Sequence, residues 1–374
     1  MITFRLAGFY ATAFGVIGIS TPFWPLWLKS RGLGPEDIGL AMALGIAVKI
    51  FANPLIAVVA DRHGERKRLM IALLLVATLV FSLFYWAHDF WSIVIVILVF
   101  QAFWSPALPL METLTMQTTK IEPLNYGRIR LWGSVTFIIG AWGMGELLSK
   151  GSVDLVYWVT LGALILTFLS TLTLPDTRIA KPAGKKRPIR DVLSDPTFVT
   201  FIVATALIQS SHGVYYTFGT IHWQSVGHSE AIIGWLWAEG VIAEVLLFMW
   251  GDRIVKRFGA ARLIALSGIA GLIRWALTGV TDALPALMTL QLFHALTFGA
   301  AHLGAIHFIA RRMAPSVSAT AQSVYSATVM GLAMGVSAWV SGKLYSGFGS
   351  QAYYLMAVMA GLGGMIAYAL RQRS

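Results

Sequence analysis

Long apolar stretches, separated by short polar segments, follow one another along almost the whole chain. Each stretch has about 20 residues or more, the length that an α-helix needs to cross a bilayer core roughly 30 Å thick. The pattern predicts an all-α polytopic membrane protein with twelve transmembrane helices. The predicted spans are residues 5–28, 37–60, 69–87, 91–116, 130–149, 153–174, 197–224, 231–251, 261–280, 284–310, 319–343 and 350–370.

The amino-acid composition leads to the same class of protein. Hydrophobic residues make up 57% of the 374 residues, charged residues only 12%, and the mean hydropathy is +0.72. A soluble domain carries about twice that charged fraction, so a water-soluble enzyme is excluded. The chain has no cysteine, which excludes a disulfide framework, a zinc-thiolate site and an iron–sulfur cluster.

The net charge of +11 is explained by how lysines and arginines are distributed between the two sides of the membrane, and it does not indicate a surface that binds nucleic acid. Most lysines and arginines lie on the side that holds both termini, and the opposite loops hold only Lys29, Arg31, Lys150 and Lys343. The positive-inside rule therefore predicts that both termini are cytoplasmic. Anionic lipid headgroups are the partners that such a basic side attracts, and no nucleic acid is expected to bind.

The sequence also repeats itself at a spacing of 195 residues. This shift superposes Ser30 on Ser225, Gly32 on Gly227, Gly45 on Gly240 and Gly64 on Gly259, without a gap. A parallel repeat of this kind predicts two bundles related by an axis along the membrane normal, with a cavity between them. The predicted domains are a six-helix bundle at 1–174, a basic cytoplasmic linker at 175–196 and a second six-helix bundle at 197–374.

The loop between the second and third spans carries a family motif. Its residues Asp61-Arg62-His63-Gly64-Glu65-Arg66-Lys67 resemble the signature loop of the major facilitator superfamily, with Ala57 where the family usually has glycine. A weaker copy, Lys256-Arg257-Phe258-Gly259 followed by Arg262, occupies the corresponding place in the second half. The resemblance implies a transporter in a bacterial inner membrane, and it implies a monomer. It also implies that Asp61, Arg62, Gly64 and Arg66 form a gate.

Other motifs resemble one branch of this superfamily. The segment from Tyr126 to Ser134 is similar to the sugar, nucleoside and phenylpropionate proton symporters. Four further segments resemble the phenylpropionate permease subgroup. They are residues 23–28, 213–216, 273–275 and 300–303. Membership would imply import of 3-phenylpropionate with protons. A proton-coupled sugar or nucleoside symporter is the alternative, and a membrane-embedded transferase is a weaker one, because no catalytic motif occurs.

Ionisable side chains inside the spans are the candidate functional residues, since each costs about 2.5–3.5 kcal/mol near the bilayer centre. The repeat pairs Lys49 with Glu244 and Glu112 with His307, which predicts a shared polar cavity. A purely structural ion pair between the halves is the alternative for Lys49 and Glu244. The full set is Lys49, Glu112, His212, Glu239, Glu244, Arg274, His294, His302 and His307.

The roles of these residues are assigned partly by the resemblance. Glu112 and Arg130 match residues that contact the sugar in lactose-permease-like proteins, and Arg274 and His294 also match polar positions there. Where that family has a proton-bearing glutamate, this chain has Thr297. Proton coupling is therefore assigned first to Glu244, with Glu239, Glu112 and the histidines, His294 and His307 among them, as alternatives. Substrate binding is assigned to Glu112, Arg130, Lys49, Arg274, His302, Tyr215, Tyr10 and Tyr325.

Neither a metal site nor a cofactor is predicted. His302 and His307 are five residues apart, which does not place two ligands on one face of a helix. The tyrosines are expected to form an amphipathic wall for the ring of an aromatic acid or of a sugar. Pro106 and Pro109 precede Glu112 and are expected to loosen the fourth span.

Overall fold

The computed structural model describes residues 1–176 and 189–370. Both ranges consist of helices and connecting turns, and neither contains a β-strand. Most of the predicted basic linker, residues 177–188, lies outside the described residues. The described residues form two compact units, one made of 1–176 with 228–238 and the other of 189–227 with 239–370.

The first unit is built from long helices packed side by side. Its helices are α1 Ile2–Ser30, α2 Pro35–His63, α3 Arg66–Ser82, α4 Phe90–Trp104, α5 Ala107–Ile121, α6 Tyr126–Leu148 and α7 Leu155–Leu172. The main packing pairs are α1 with α6 and α7, α2 with α4, and α3 with α4 and α7. A short 3₁₀ turn, Leu83–Tyr85, follows α3.

The second unit contains more and shorter helices. These are α8 Ile189–Leu193, α9 Pro196–Ser210, α10 Gly213–Ser225, α11 Glu230–Met249, α12 Gly251–Phe258, α13 Ala260–Thr278, α14 Leu284–His294, α15 Ala300–Arg312, α16 Pro315–Tyr325, α17 Met334–Phe348 and α18 Ala352–Leu370. The start of α11 belongs to the first unit. Helix α13 packs on α18 and α15, and α9 packs on α18.

Eleven helical segments within the described residues are long and apolar enough to cross a membrane. The last of them, Thr320–Leu370, has 51 residues, which at about 1.5 Å per residue is more than twice the bilayer core. A turn at Gly349–Gln351 divides this segment, and Gly349 adopts a φ of +55° there. The segment therefore accounts for two crossings, in agreement with the twelve predicted spans.

The sequence repeat reappears in the backbone. Gly32 and Gly227 have φ angles of +85° and +94°, and Gly64 and Gly259 have φ angles of +71° and +78°. Residues other than glycine rarely adopt this left-handed region. Each pair is separated by 195 residues, so the two units use glycine for the same turn at equivalent places.

Polar residues and prolines set where several helices begin. Asn125 accepts a hydrogen bond from the Arg128 backbone N–H at 3.0 Å and caps α6. Asp195 accepts one from the Thr197 N–H at 2.9 Å and caps α9, whose first residue is Pro196. A proline is well placed there because its missing N–H would have had no partner within the helix.

Several crossings in the described ranges are interrupted near the polar residues that they carry. The crossing Pro196–Ser225 breaks at Ser211 and His212, between α9 and α10. The fourth crossing breaks at Pro106, between α4 and α5, as its prolines suggest. The crossing that contains α14 and α15 includes a π-helical turn, Ala295–Gly299, and the one that contains α16 and α17 includes another, Ser326–Ala333. Such wide turns are rare and frequently lie at functional sites.

Candidate functional site

Glu112, Tyr126 and Arg130 form a hydrogen-bonded group in the first unit, the Glu112 cluster. Arg130 Nε donates to Glu112 Oε1 at 3.2 Å, and the Tyr126 hydroxyl donates to Glu112 Oε2. Tyr126 and Arg130 are four residues apart in the first turns of α6, so their side chains lie on the same face. The structure thus brings Glu112 and Arg130 together, with both carboxylate oxygens engaged.

The Arg130 guanidinium is held against aromatic rings. Its Cζ lies 4.0 Å from the ring centroid of Phe14 and 5.5 Å from that of Tyr10. Tyr10 is fully buried, and its hydroxyl donates to Thr115 Oγ1 at 3.3 Å. In the described ranges Glu112 is the only hydrogen-bond acceptor of Arg130, so Nη1 and Nη2 remain available to a ligand. About a third of the Arg130 side chain, 31%, is exposed.

Arg274 is the centre of a second polar group, in the second unit. Its side chain is fully buried. Nη1 donates to Thr297 Oγ1 at 2.9 Å, and Nη2 donates to Gln291 Oε1 at 3.0 Å. Tyr215 also donates to Gln291 Oε1, at 3.1 Å. The guanidinium Cζ lies 4.4 Å from the ring centroid of Trp275 and 4.8 Å from that of Tyr215.

The partners of His294 define its tautomer. His294 Nδ1 lies 3.3 Å from Arg274 Nη1, and because a guanidinium only donates, Nδ1 has to accept. The proton of the neutral ring is then on Nε2, which lies 3.5 Å from Glu244 Oε2. A second proton, on Nδ1, would set two donors against each other. His294 can therefore become cationic only if its contact with Arg274 is broken.

His212 is oriented by the same reasoning. Its Nδ1 lies 3.1 Å from the Gln209 carbonyl oxygen, which only accepts, so Nδ1 carries the proton. Its Nε2 then accepts from Thr297 Oγ1 at 3.2 Å. Thr297 thus accepts from Arg274 and donates to His212. We call the residues Arg274, Gln291, His294, Thr297, His212 and Glu244 the Arg274 cluster.

The charges in the Arg274 cluster are separated by a neutral ring. Among the described residues, none with a carboxylate lies within 4 Å of the Arg274 guanidinium, and the buried Nε has no hydrogen-bond partner. Glu244 contacts His294, which in turn contacts Arg274. The hydrogen-bond acceptors around Arg274 are all uncharged, although a buried cation is most stable beside an anion.

Two other predicted residues, Lys49 and Glu239, are partly buried in their helices. Lys49 lies in α2 and Glu239 in α11. Within the described ranges neither side chain forms an ion pair. The Glu239 Oε2 atom is buried, and no hydrogen-bond partner for it occurs in that part of the chain. Both therefore stay candidates for contacts made during transport.

His302, His307 and Tyr325 have different surroundings. The His302 ring is parallel to that of Phe298, with centroids 6.1 Å apart. His307 is partly buried in α15. Tyr325 is almost buried and stacks on Phe201 at 5.8 Å in the hydrophobic core of the second unit. Of the predicted tyrosines, Tyr215 contacts Arg274, whereas Tyr325 belongs mainly to core packing.

The predicted gate residues form a compact turn in the first unit. Arg66 Nη2 binds Asp61 Oδ1 at 2.9 Å, and Arg66 Nη1 donates to Gln117 Oε1 at 3.4 Å. These contacts connect the end of α2, the start of α3 and α5. Gly64 makes the turn with its positive φ, and the Arg62 side chain is exposed.

Sequence reasoning missed three contributors. Tyr126 is the first residue of the motif Tyr126–Ser134. Its spacing of four residues from Arg130 could have predicted that the two side chains lie on one face of the helix. Gln291 is three residues before His294, which places both on one face of α14. Thr297 was noted only as a departure from the family pattern, although it joins Arg274 to His212.

The fold and these polar clusters define a class, that of multi-pass membrane transporters. The model of the MFS_1 like family matches residues 3–356. The chain belongs to this family. It is 35% identical over 364 residues to the "Probable 3-phenylpropionic acid transporter" of Escherichia coli (strain K12), an alignment that covers 94% of this chain and 93% of the relative. It is 27% identical to the "Maltose permease" of Geobacillus stearothermophilus, over 97% and 92% of the two chains.

Solved structures agree on the fold. The crystal structure of the nucleoside transporter NupG superposes with a TM-score of 0.84 at 17% sequence identity, covering 99% of this chain and 98% of that one. A bacterial homologue of the human lysosomal transporter Spinster, in an inward-facing and unoccupied conformation, superposes with a TM-score of 0.73 at 12% identity, over 99% of this chain and 96% of that one. Membership of the family and the 35% identity to a transporter make the chain a transporter of small molecules and not an enzyme.

Proposed function

We propose that the chain is a proton-coupled symporter that imports a small aromatic carboxylate similar to 3-phenylpropionate. It works by alternating access, as a monomer in a bacterial inner membrane with both termini in the cytoplasm. The proton gradient is its energy source, and no bound cofactor takes part. The name of the Escherichia coli relative supports this substrate class. Proton, substrate and the surrounding lipids are the partners.

One observation supports the choice of an anionic substrate. Arg274 is fully buried, and no carboxylate of residues 1–176 or 189–370 is in contact with its guanidinium. Its hydrogen-bond acceptors are the neutral oxygens of Thr297 and Gln291 and the neutral Nδ1 of His294. A buried cation of this kind gains most from an anion that approaches its unpaired Nε. A substrate carboxylate would supply that anion.

The rings around Arg274 favour an aromatic acid. Tyr215 and Trp275 lie against the guanidinium, and Tyr216 is 5.2 Å from Tyr215, measured between ring centroids. A substrate ring placed among them gains about 0.5–1.5 kcal/mol for each well-oriented contact, beyond the burial of its surface. In the described conformation these rings cover Arg274, so they have to move before an anion can reach it.

Glu244 provides a way to couple the proton to the anion. When Glu244 is ionised, its charge balances that of Arg274 through His294, and the cluster has no net charge. A proton on Glu244 leaves Arg274 without a counter-ion, which favours binding of the substrate carboxylate. By thermodynamic reciprocity, the bound carboxylate then favours the protonated Glu244. Proton and anion therefore bind together and leave together.

A neutral sugar or nucleoside is the second candidate substrate. The Glu112 cluster supports it, because its carboxylate and guanidinium already balance each other and still offer donors to hydroxyl groups. The relatives include permeases named for maltose and raffinose. In this case Arg274 would have a structural role.

Uptake into proteoliposomes separates the two candidates. The purified protein is reconstituted, a pH gradient (acidic outside) is imposed, and accumulation of labelled 3-phenylpropionate is followed with and without an uncoupler. We expect saturable accumulation that the uncoupler abolishes and that sugars and nucleosides do not inhibit. Saturable sugar or nucleoside uptake without competition by aromatic acids would reject the carboxylate, and accumulation that is insensitive to the uncoupler would reject the proton.

Two variants test the assigned roles. Glu244→Gln should abolish accumulation against a gradient but leave exchange of internal for external substrate, because the variant no longer releases a proton. Arg274→Gln should weaken substrate binding by at least about 100-fold, since hydrogen bonds to charged groups contribute about 1.5–3 kcal/mol each. The matched controls are Asp252→Asn and Arg253→Gln on the exposed part of α12. Normal accumulation by Glu244→Gln would reject its role.

A further inference from the structure

A basic pocket lies where α12 ends and α13 begins, in the second unit. It has a volume of about 600 Å³. Its walls come from the α12–α13 turn and from the end of α15. The residues that line it are Lys256, Arg257, Phe258, Gly259, Ala260, Ala261, Arg262, Phe308, Arg311 and Arg312. Half of these residues are cations, and none is an acid.

The repeat explains why acids are absent from this lining. Asp61 and Glu65 of the first unit correspond, at the 195-residue spacing, to Lys256 and Ala260. In the first unit Asp61 neutralises Arg66, and Glu65 neutralises Arg68, each at 2.9 Å. The second unit has lost both carboxylates and has gained a lysine in place of one of them.

The second unit has also lost the side chain that fills this space in the first. Arg66, buried against Asp61 and Gln117, corresponds to Ala261. Together with Ala260, this small residue lines the pocket. The same loop is thus a closed ion-pair network in one unit and an open cationic pocket in the other.

The charge of the pocket is mostly uncompensated. Arg312 binds Asp195 at 3.1 Å. The other four cations, at positions 256, 257, 262 and 311, form no ion pair with any residue in the described ranges. The first backbone N–H groups of α13 lie at the same place, and Gly259, the residue before them, has no side chain that could cap them. A helix N-terminus adds partial positive charge and favours phosphate groups.

We propose that this pocket binds the phosphate headgroup of an acidic phospholipid. The position along the helices favours a lipid over a soluble phosphate compound. The crossing Ala260–Thr278 begins at the pocket and the crossing Leu284–Arg312 ends there, so the cations lie at headgroup level. Phe258 is 40% exposed beside them, where an acyl chain would start. Basic pockets of this kind are typical sites for anionic headgroups.

Native mass spectrometry of the full-length protein in detergent tests this proposal. Phosphatidylglycerol and phosphatidylcholine with the same acyl chains are added to the wild type and to the double variant Arg257→Gln/Arg262→Gln. The wild type should retain phosphatidylglycerol in preference to phosphatidylcholine. The double variant should bind it about 25-fold more weakly, or roughly fivefold for each cation removed. Both arginines are exposed, so their loss should not disturb folding.

The equivalent positions of the first unit give the control, Arg62→Gln/Lys67→Gln, which removes the same charge. We expect this control to change the affinity by less than twofold. Equal losses in both double variants would show a general electrostatic effect and would overturn the assignment to this pocket. A lack of preference for the acidic lipid would overturn it as well.

A competition experiment distinguishes a lipid from a free phosphate. Glycerol 3-phosphate is added at up to millimolar concentration to the complex of the wild type with phosphatidylglycerol. Retention of the lipid supports the proposal. Displacement at micromolar concentration would mean that the pocket is a site for a soluble phosphate compound, and the lipid assignment would be wrong.

Discussion

Arg274 donates a hydrogen bond from Nη1 to Thr297 Oγ1 at 2.9 Å. Because the threonine hydroxyl also faces His212 Nε2 at 3.2 Å, it connects a buried cation to a buried imidazole without adding charge. The acceptors around Arg274 are therefore uncharged, and among the described residues no carboxylate lies within 4 Å of its guanidinium. Glu244, 3.5 Å from His294 Nε2, is the acid that the proposed function assigns to this cluster.

Thr297→Val is expected to remove the acceptor of Arg274 and the donor to His212 while preserving the shape of the side chain. Leaving a buried donor unsatisfied costs about 1–3 kcal/mol. We therefore expect the variant to lose transport and to unfold at a lower temperature, as measured by uptake and by thermal unfolding in detergent. Thr297→Ser keeps the hydroxyl and is the control, which should transport like the wild type. Equal defects in both variants would mean that volume, not the hydroxyl, is what matters.

Gly133 gives space to the Glu112 cluster. A Cβ at this position would lie 2.8 Å from Arg130 Nη1 and 2.9 Å from Phe14 Cδ2. Gly133→Ala should therefore displace the Arg130 guanidinium and reduce uptake by at least about tenfold, the effect of losing one hydrogen bond to a charged group. Gly143→Ala in the same helix is the control, because a Cβ there meets no atom within 4 Å. Normal uptake by Gly133→Ala would remove Arg130 from the functional site.

Asp61 and Arg66 should contribute to stability more than a typical surface ion pair does. The Arg66 side chain is only 7% exposed, whereas Arg68, which pairs with Glu65, is 71% exposed. Asp61→Asn leaves a nearly buried guanidinium without its counter-ion and should destabilise the protein by about 3 kcal/mol or somewhat less. Arg68→Gln, the control, should cost less than about 1 kcal/mol. Thermal unfolding in detergent measures both, and equal shifts would contradict the expected difference.

Asp195 predicts a dependence of stability on pH. Burial alone would raise the pKa of this carboxyl, but the hydrogen bonds from the Arg312 guanidinium and the Thr197 N–H outweigh it and hold the pKa below its usual value. The contribution of the ionised Asp195 to folding stability is therefore complete above the unfolded-state pKa of about 3.9. It is lost as the pH falls through the lower folded-state pKa.

The variant that tests this dependence is Asp195→Asn, which keeps the helix cap but removes the charge. At pH 7 it should be less stable than the wild type by about 1 kcal/mol or less, because the pair with Arg312 is partly exposed. The difference should shrink as the pH falls below about 4. Thermal unfolding curves from pH 7 to pH 3 check this, and a difference that stayed constant over the range would contradict it.

Sequence reasoning could predict whatever depends on local composition or on a fixed repeat. Hydropathy was sufficient for the spans, and the 195-residue spacing led to glycine pairs that have matching φ angles in the structure. The meeting of Glu112 and Arg130 was also foreseeable, because the resemblance matched both to positions that contact the same substrate in lactose-permease-like proteins. The contacts of Thr297 and the core packing of Tyr325 were not, since they depend on how neighbouring helices are rotated. The spacing of residues along one helix does not determine how that helix is rotated relative to its neighbours.

The π-helical turn Ala295–Gly299 contains Thr297 and follows His294 directly. A regular α-helix advances about 100° per residue, so the extra residue in this turn shifts the angular register of everything that follows by roughly that amount. Tightening the turn into an α-helix would rotate the part of the crossing that follows it, and with it the threonine hydroxyl, relative to Arg274 and His212, while the part before the turn stayed in place. The helix thus contains a local means of breaking the polar network without moving as a whole.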